Sequence, residues 1–192
     1  MPSEPSTYTT DPNDQSQILD ARHPDPFGFL GLHKNPVGTG HVLGVFRPGT
    51  IKVVVVLQNG DEVEMTVIDQ AGLYEHLFEN RPQKFSYQLR YQFGEGLSDP
   101  QYDVYSFGPV LGEQDLHFFA EGSHRYLWNC LGAQLCEQNG VDGVSFAVWA
   151  PNAFRVSVVG DFNAWDGRVH PMRNHNGVWE IFIPQIRGGE DF

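Results

Sequence analysis

Only two of the 192 residues are cysteine, Cys130 and Cys136, and both fall in one short segment. That number and spacing match neither a disulfide framework nor a zinc-ligand pattern, so both are excluded as props for the fold, and a reducing cytoplasm is the expected location. Basic residues are scarce too, 12 Lys and Arg against 24 Asp and Glu, for a formal charge of −12. A field of that sign repels nucleic acid phosphates and anionic lipid, so no nucleic acid and no membrane is expected as a partner. The polar stretch from Met1 to Leu19 lacks the apolar core of a secretion signal, and no apolar run reaches the roughly 18 residues of a membrane span. Also missing are a nucleophile elbow, an HExxH motif, a Walker loop and GxGxxG. The eight histidines are scattered without ligand spacing. No catalytic residue, metal or cofactor is therefore expected.

What is present is apolar and turn-rich. Hydrophobic residues make up 40% and aromatics 13%, with 21 glycines and 13 prolines among few strong helix formers. This composition predicts an all-β protein. Ile51 to Leu57 is almost continuously β-branched, and Asn59-Gly60 after it is the pair favoured by a type I′ hairpin. An alternating run follows, with Val63, Met65 and Val67 on one face and Glu62, Glu64 and Thr66 on the other. The clearest strand is Lys84 to Phe93, where Phe85, Tyr87, Leu89, Tyr91 and Phe93 alternate with polar residues. Acidic pairs such as Glu62 with Glu64 read as a solvated strand face.

The pattern then recurs. Gly44-Val45-Phe46-Arg47-Pro48 is similar to Ala147-Val148-Trp149-Ala150-Pro151, 103 residues on, and Gly72-Leu73-Tyr74-Glu75 to Gly177-Val178-Trp179-Glu180, 105 residues on. Two copies of one small immunoglobulin-like β-sandwich explain this economically. The predicted organisation is a flexible tail over 1–20, a first sandwich over 21–98, a linker over 99–142 and a second sandwich over 143–192. One short helix is expected in the linker, from Ser123 to Gly132. Shifting Tyr87 by the same 105 residues lands on Phe192, so the second sandwich is expected to be truncated before its closing strand.

The two copies differ most where the second carries Gly160-Asp161-Phe162-Asn163-Ala164-Trp165-Asp166-Gly167-Arg168 and the first only Gln58-Asn59-Gly60-Asp61. A tryptophan in a polar loop wants a partner surface. Trp165 stacks on the C–H face of a sugar, with Asn163 and Arg168 bonding hydroxyls, or it folds back as a lid on the sandwich or docks on another domain; spacing alone leaves these open. Trp149 and Trp179 replace Phe46 and Tyr74 and are expected to serve packing, and Trp128 is expected at an interface.

HPDPFGFLGLH at 23–33, DVYSFGPVLGEQDLHFFAEGSH at 103–124, and GVSFAVWAPNAFRVSVVGDFNAWDGRVHPMR at 143–173, with GVWEIFIP at 177–184, resemble the amino-terminal region of bacterial 1,4-α-glucan (glycogen) branching enzymes. The resemblance implies that the second copy is a carbohydrate-binding module of family 48 and the first the amino-terminal module of such enzymes. It implies an α-1,4-glucan such as glycogen or a maltooligosaccharide as partner, and a catalytic (β/α)8 barrel in the full-length parent, where the catalytic carboxylates lie. In that reading the chain is an accessory part of an enzyme of glycogen biosynthesis, inactive alone; a stand-alone glycogen-binding module is the alternative. Trp165, with Asn163 beside it, matches the sugar-stacking tryptophan of the related glycogen-binding module in the AMP-activated kinase β subunit.

Overall fold

The computed structural model describes residues 11–36, 38–79, 81 and 83–186. The chain divides into two compact units, residues 1–106 and 107–192.

The first unit is a β-sandwich preceded by two helices. Helix α1 (Pro12–Leu19) starts at Asp11, whose carboxylate accepts the Asn13 N–H at 2.8 Å, with Pro12 in the first turn where no N–H is needed. This corrects the expected flexible tail over 12–19; residues 1–10 lie outside the described residues. The short helix α2 (Pro26–Phe29) leads into β1 (Gly31–Lys34), β2 (His41–Phe46), β3 (Lys52–Leu57), β4 (Glu62–Glu64), β5 (Thr66–Asp69), β6 (Leu73–Phe78) and β7 (Tyr87–Gln92). One sheet runs β1-β2-β6-β5 and the other β4-β3-β7, all antiparallel. Leu43, Val45 and Tyr74 from the first sheet meet Val53, Val55, Leu89 and Tyr91 from the second. Behind the first sheet, Ile18 of α1 packs with Leu30, Phe46 and Leu73, so α1 covers an apolar face.

Two local expectations need correction. Gly60 has φ +87 but Asn59 is not in the left-handed region, so the β3–β4 hairpin is not type I′. Gly60 N–H donates to Leu57 O and Leu57 N–H to Asp61 O, both at 2.9 Å, the pattern of a three-residue loop closed by a left-handed glycine. The alternating run after it is no single strand. It breaks at buried Met65 and passes from one sheet to the other, leaving Val67 exposed.

The second unit holds helix α3 (Glu113–Glu121), a 3-10 turn (Leu127–Asn129), β8 (Gly132–Gln138), β9 (Val141–Trp149), β10 (Arg173–His175) and β11 (Val178–Pro184). Its sheet runs β10-β11-β9-β8. The linker helix therefore lies earlier than the expected 123–132. Gly122, at φ +66, supplies the left-handed cap that ends α3, and Glu113 and Asp115 favour its first turn. Residues 107–142 belong to this unit, contributing α3 and β8. Phe119, Leu111, Ala147 and Val178 form a buried cluster behind the sheet. Trp179 is buried and its indole N–H donates to Ala150 O at 3.0 Å, whereas Trp149 is partly exposed with its ring stacked on Phe119.

Residues 154–159, the counterpart of β3, form no strand. They touch the rest of the unit through the Ser157–Pro171 bridge and the bonds from Val158 N–H to His170 O and Met172 N–H to Val156 O. In the first unit β3 is held by β7 across six residue pairs. The expected counterpart of Tyr87, Phe192, lies outside the described residues.

The first unit also buries an acid. Tyr87 O–H donates to Asp103 Oδ2 at 2.6 Å and the Tyr105 N–H to Oδ1 at 3.1 Å. Burial outweighs these bonds and pushes the carboxyl up from 3.8 to about 6. Between those values the folded chain holds a proton that the unfolded chain releases, so stability is expected to fall as pH rises through the window and to level off above it. The drop is about 3 kcal/mol. Urea unfolding from pH 3.5 to 7.5 should show it, and Asp103→Asn should flatten it; an unchanged slope in the variant would contradict the assignment.

Candidate functional site

The nine-residue insertion of the second copy folds as a tight loop built on its own backbone. Residues Asp161–Asn163 form a 3-10 turn, and Trp165 N–H closes the loop onto Gly160 O at 3.0 Å. Ala164 (φ +52) and Trp165 (φ +59) both occupy the left-handed region. Each non-glycine residue held there costs on the order of 1–2 kcal/mol, so two in succession mark a conformation imposed by the surroundings. The outcome is that Trp165 stands 65% exposed, with its indole N–H tethered to Asp161 Oδ1 at 2.9 Å. Trp165 does not fold back as a lid.

Asn163 imposes the conformation. It is buried, its Oδ1 accepts the Gly160 N–H at 3.0 Å, and its Nδ2 donates to Val158 O at 2.8 Å and to His170 Nδ1 at 2.9 Å. Because Oδ1 is the acceptor of a backbone N–H, Nδ2 must be the donor and His170 Nδ1 the acceptor. The amide is spent inside the loop. These bonds hold the loop backbone in place around Asn163.

Arg168 lies at the surface in a bidentate pair with Asp166, Nη2 to Oδ2 at 2.7 Å and Nε to Oδ1 at 3.0 Å. The guanidinium holds the Asp166 carboxyl below the usual carboxylate range, and the carboxylate raises Arg168 in turn. Arg155 reaches across from the preceding segment to the Gly167 carbonyl. Of the three residues expected at the site, the fold thus brings Trp165 and Arg168 to the surface of one loop and turns Asn163 inward. The residues that the sequence reading missed are Asp161 and His170; the D-x-x-x-W spacing that lets Asp161 reach the indole is visible in the sequence only in hindsight.

Other polar groups were candidates. Glu180 is buried with Oε2 accepting the Val110 and Leu111 N–H groups at 3.0 and 2.9 Å, which fastens that segment behind β11. His175 Nε2 is 2.8 Å from the other carboxylate oxygen, outside hydrogen-bond geometry. Asp115, His124 and Cys130 offer ligand atoms within 4.8 Å of one another. The Tyr126 N–H donates to His124 Nδ1 at 3.2 Å, so the proton sits on Nε2 and donates to Asp115 Oδ1 at 3.1 Å. Burial raises the pKa of the Cys130 thiol, and the neighbouring Asp115 carboxylate adds to the shift. The cluster ties α3 to the 3-10 turn after it.

Comparison with known proteins follows the same division. Residues 11–105 match the family model described as "alpha-1,4-glucan branching enzyme GlgB, N-terminal domain", and residues 130–191 match "Carbohydrate-binding module 48 (Isoamylase N-terminal domain)". The first unit is thus a GlgB-type amino-terminal domain and the second a family 48 module; the chain belongs to the 1,4-alpha-glucan branching enzyme GlgB family. It is 50% identical over 170 residues to the 1,4-alpha-glucan branching enzyme GlgB of Pseudomonas aeruginosa, covering 86% of this chain and 23% of the relative. The GlgB of Pseudomonas fluorescens is 51% identical over 180 residues (91% and 23%), and that of Myxococcus xanthus 43% over 175 (90% and 23%). The chain spans about a quarter of the length of these relatives.

The loop geometry assigns different roles to its two central residues. Asn163→Ala removes three internal bonds and leaves buried partners unpaired, for an expected loss of about 1–3 kcal/mol. Trp165→Ala at the exposed position should stay within about 0.5 kcal/mol of the parent. Thermal unfolding of both variants checks this, and the reverse order would refute the assigned roles.

Proposed function

We propose that this chain is the accessory, α-glucan-binding portion of a 1,4-alpha-glucan branching enzyme of glycogen biosynthesis, with Trp165 as the sugar-stacking platform and Arg168 as its polar neighbour. One observation carries the reading: a tryptophan held 65% exposed by two successive left-handed residues and a buried asparagine. A flat indole fixed in water offers a surface for the apolar C–H face of a pyranose, and a bound ring would repay its exposure. Arg168 donors can then reach hydroxyls at the rim, with Asp166 keeping the guanidinium in place.

The parent reaction, cleavage of an α-1,4 linkage and transfer to a 6-hydroxyl, needs two carboxylates facing each other across a substrate cleft. Several of the carboxylates among the described residues are employed otherwise. Glu62 is ion-paired to Arg90 and Glu64 to Lys52, and Glu75 and Glu180 are buried. We therefore assign catalysis to a barrel elsewhere in the parent enzyme and expect this chain to be inactive alone. A cytoplasmic setting is supported by two unbonded thiols, and among the described residues no helix is long and apolar enough to cross a membrane.

The test is affinity electrophoresis of the 192-residue chain through gels with and without glycogen, beside Trp165→Ala. Retardation by glycogen that disappears in the variant is expected, and the same protein should leave the iodine stain of amylose unchanged. Equal retardation of both proteins would remove Trp165 from the site, and a fading stain would place catalysis in this chain.

A further inference from the structure

The first unit carries a second feature of saccharide chemistry, far from the Trp165 loop in sequence and independent of it. On the outer face of the β4-β3-β7 sheet, a groove of about 180 Å³ is lined by Val56, Gln58, Ser86, Gln88 and Tyr102 over Leu57 and Tyr87. Its construction follows from the strand register. Leu57 pairs with Tyr87 and Val56 with Gln88, so Leu57 and Tyr87 turn into the core while Val56, Gln58, Ser86 and Gln88 share the outer face. The wall is supplied by the segment after β7. Leu89 and Gln101 exchange two backbone hydrogen bonds of 2.8 Å, which sets Tyr102 alongside Gln88.

The lining selects a chemical class. Two primary amides and a hydroxyl give both donors and acceptors, and among the described residues no side-chain partner is seen for Gln58, Ser86 or Gln88. Val56 and Tyr102 complete the groove. In a chain with formal charge −12, none of the lining residues carries a charge at neutral pH. Glu62, paired across the strands with Val56, is ion-paired to Arg90 at 2.7 Å. An ionic ligand would find no counter-charge here, and a purely apolar one would strand the amides. The volume is below the roughly 300–1,000 Å³ of sites for drug-sized ligands and suits a single sugar ring.

We infer that this groove, framed by Gln58, Ser86, Gln88 and Tyr102, is a second saccharide subsite on the first unit, taking one neutral, hydroxyl-rich ring of a glucan. Contact from so small a surface is weak, with a Kd in the range of about 1 mM. Its use is to hold a chain that is engaged elsewhere, where effective concentration makes a weak site count.

The experiment is an NMR titration of the isotope-labelled full chain carrying Trp165→Ala with maltotriose, up to about 10 mM, a concentration that fills a millimolar site. The side-chain amide signals of Gln58 and Gln88 and the backbone signal of Ser86 are expected to move together along one saturating curve. Adding Gln88→Leu, an outer-face change, should weaken the response at Gln58 and Ser86 about tenfold. Static groove signals, or a response at Gln58 and Ser86 that ignores Gln88→Leu, would overturn the subsite. The same titration without Trp165→Ala reads the indole signal of Trp165 separately, so loss of either site is seen without the other.

Discussion

Each unit is organised by one antiparallel strand pair, β2 with β6 in the first and β9 with β11 in the second. Everything else hangs from these ladders. Both pairs place a buried glutamate opposite a small residue, Glu75 across from Gly44 and Glu180 across from Ala147. The small partner leaves room for a carboxylate on the back of the sheet, the face that helical segments cover in both units. For Glu180 the bonds it accepts show the purpose: it takes two backbone N–H groups and fixes the covering segment. A buried charge is tolerated because those donors replace water. The repeat thus preserves a buried glutamate opposite a small residue as well as a hydrophobic pattern.

The Trp165 loop depends on the same economy. Between the copy of β3 and β10, the second unit spends one buried asparagine to close nine residues of backbone onto themselves. That closure turns a tryptophan outward in a conformation it would not adopt alone. The loop is thus held by Asn163 and displays Trp165, which the proposed function makes the stacking surface.

Much of this was legible in the sequence, because periodicity and repetition report burial directly. The β7 alternation appears as strict inward and outward faces from Tyr87 to Gln92, and the sandwich core includes Val53, Val55, Tyr74 and Leu89 as the pattern implies. Most of what the pattern did not reveal is settled by tertiary partners. Helix α1 is polar apart from Ile18 and Leu19, and it forms because Asp11 caps it and Ile18 finds a pocket. Residues 154–159 have strand composition, yet among the described residues they make only the isolated Ser157–Pro171 bridge. Asn163 is indistinguishable from a surface asparagine until its three partners are located. The linker helix was displaced because apolar spacing outweighed the plain stop signal of Gly122.

The central claim is that the exposed indole of Trp165 is a stacking surface for an α-glucan. The most direct measurement is the set of intermolecular nuclear Overhauser contacts between maltoheptaose and the labelled chain. The account requires contacts from the C–H protons on one face of a glucose ring to the indole ring protons of Trp165, with Asn163 silent inside the loop. Sugar contacts at the Asn163 amide, or a Trp165 ring that receives none while the glucan is bound elsewhere on the second unit, would contradict it.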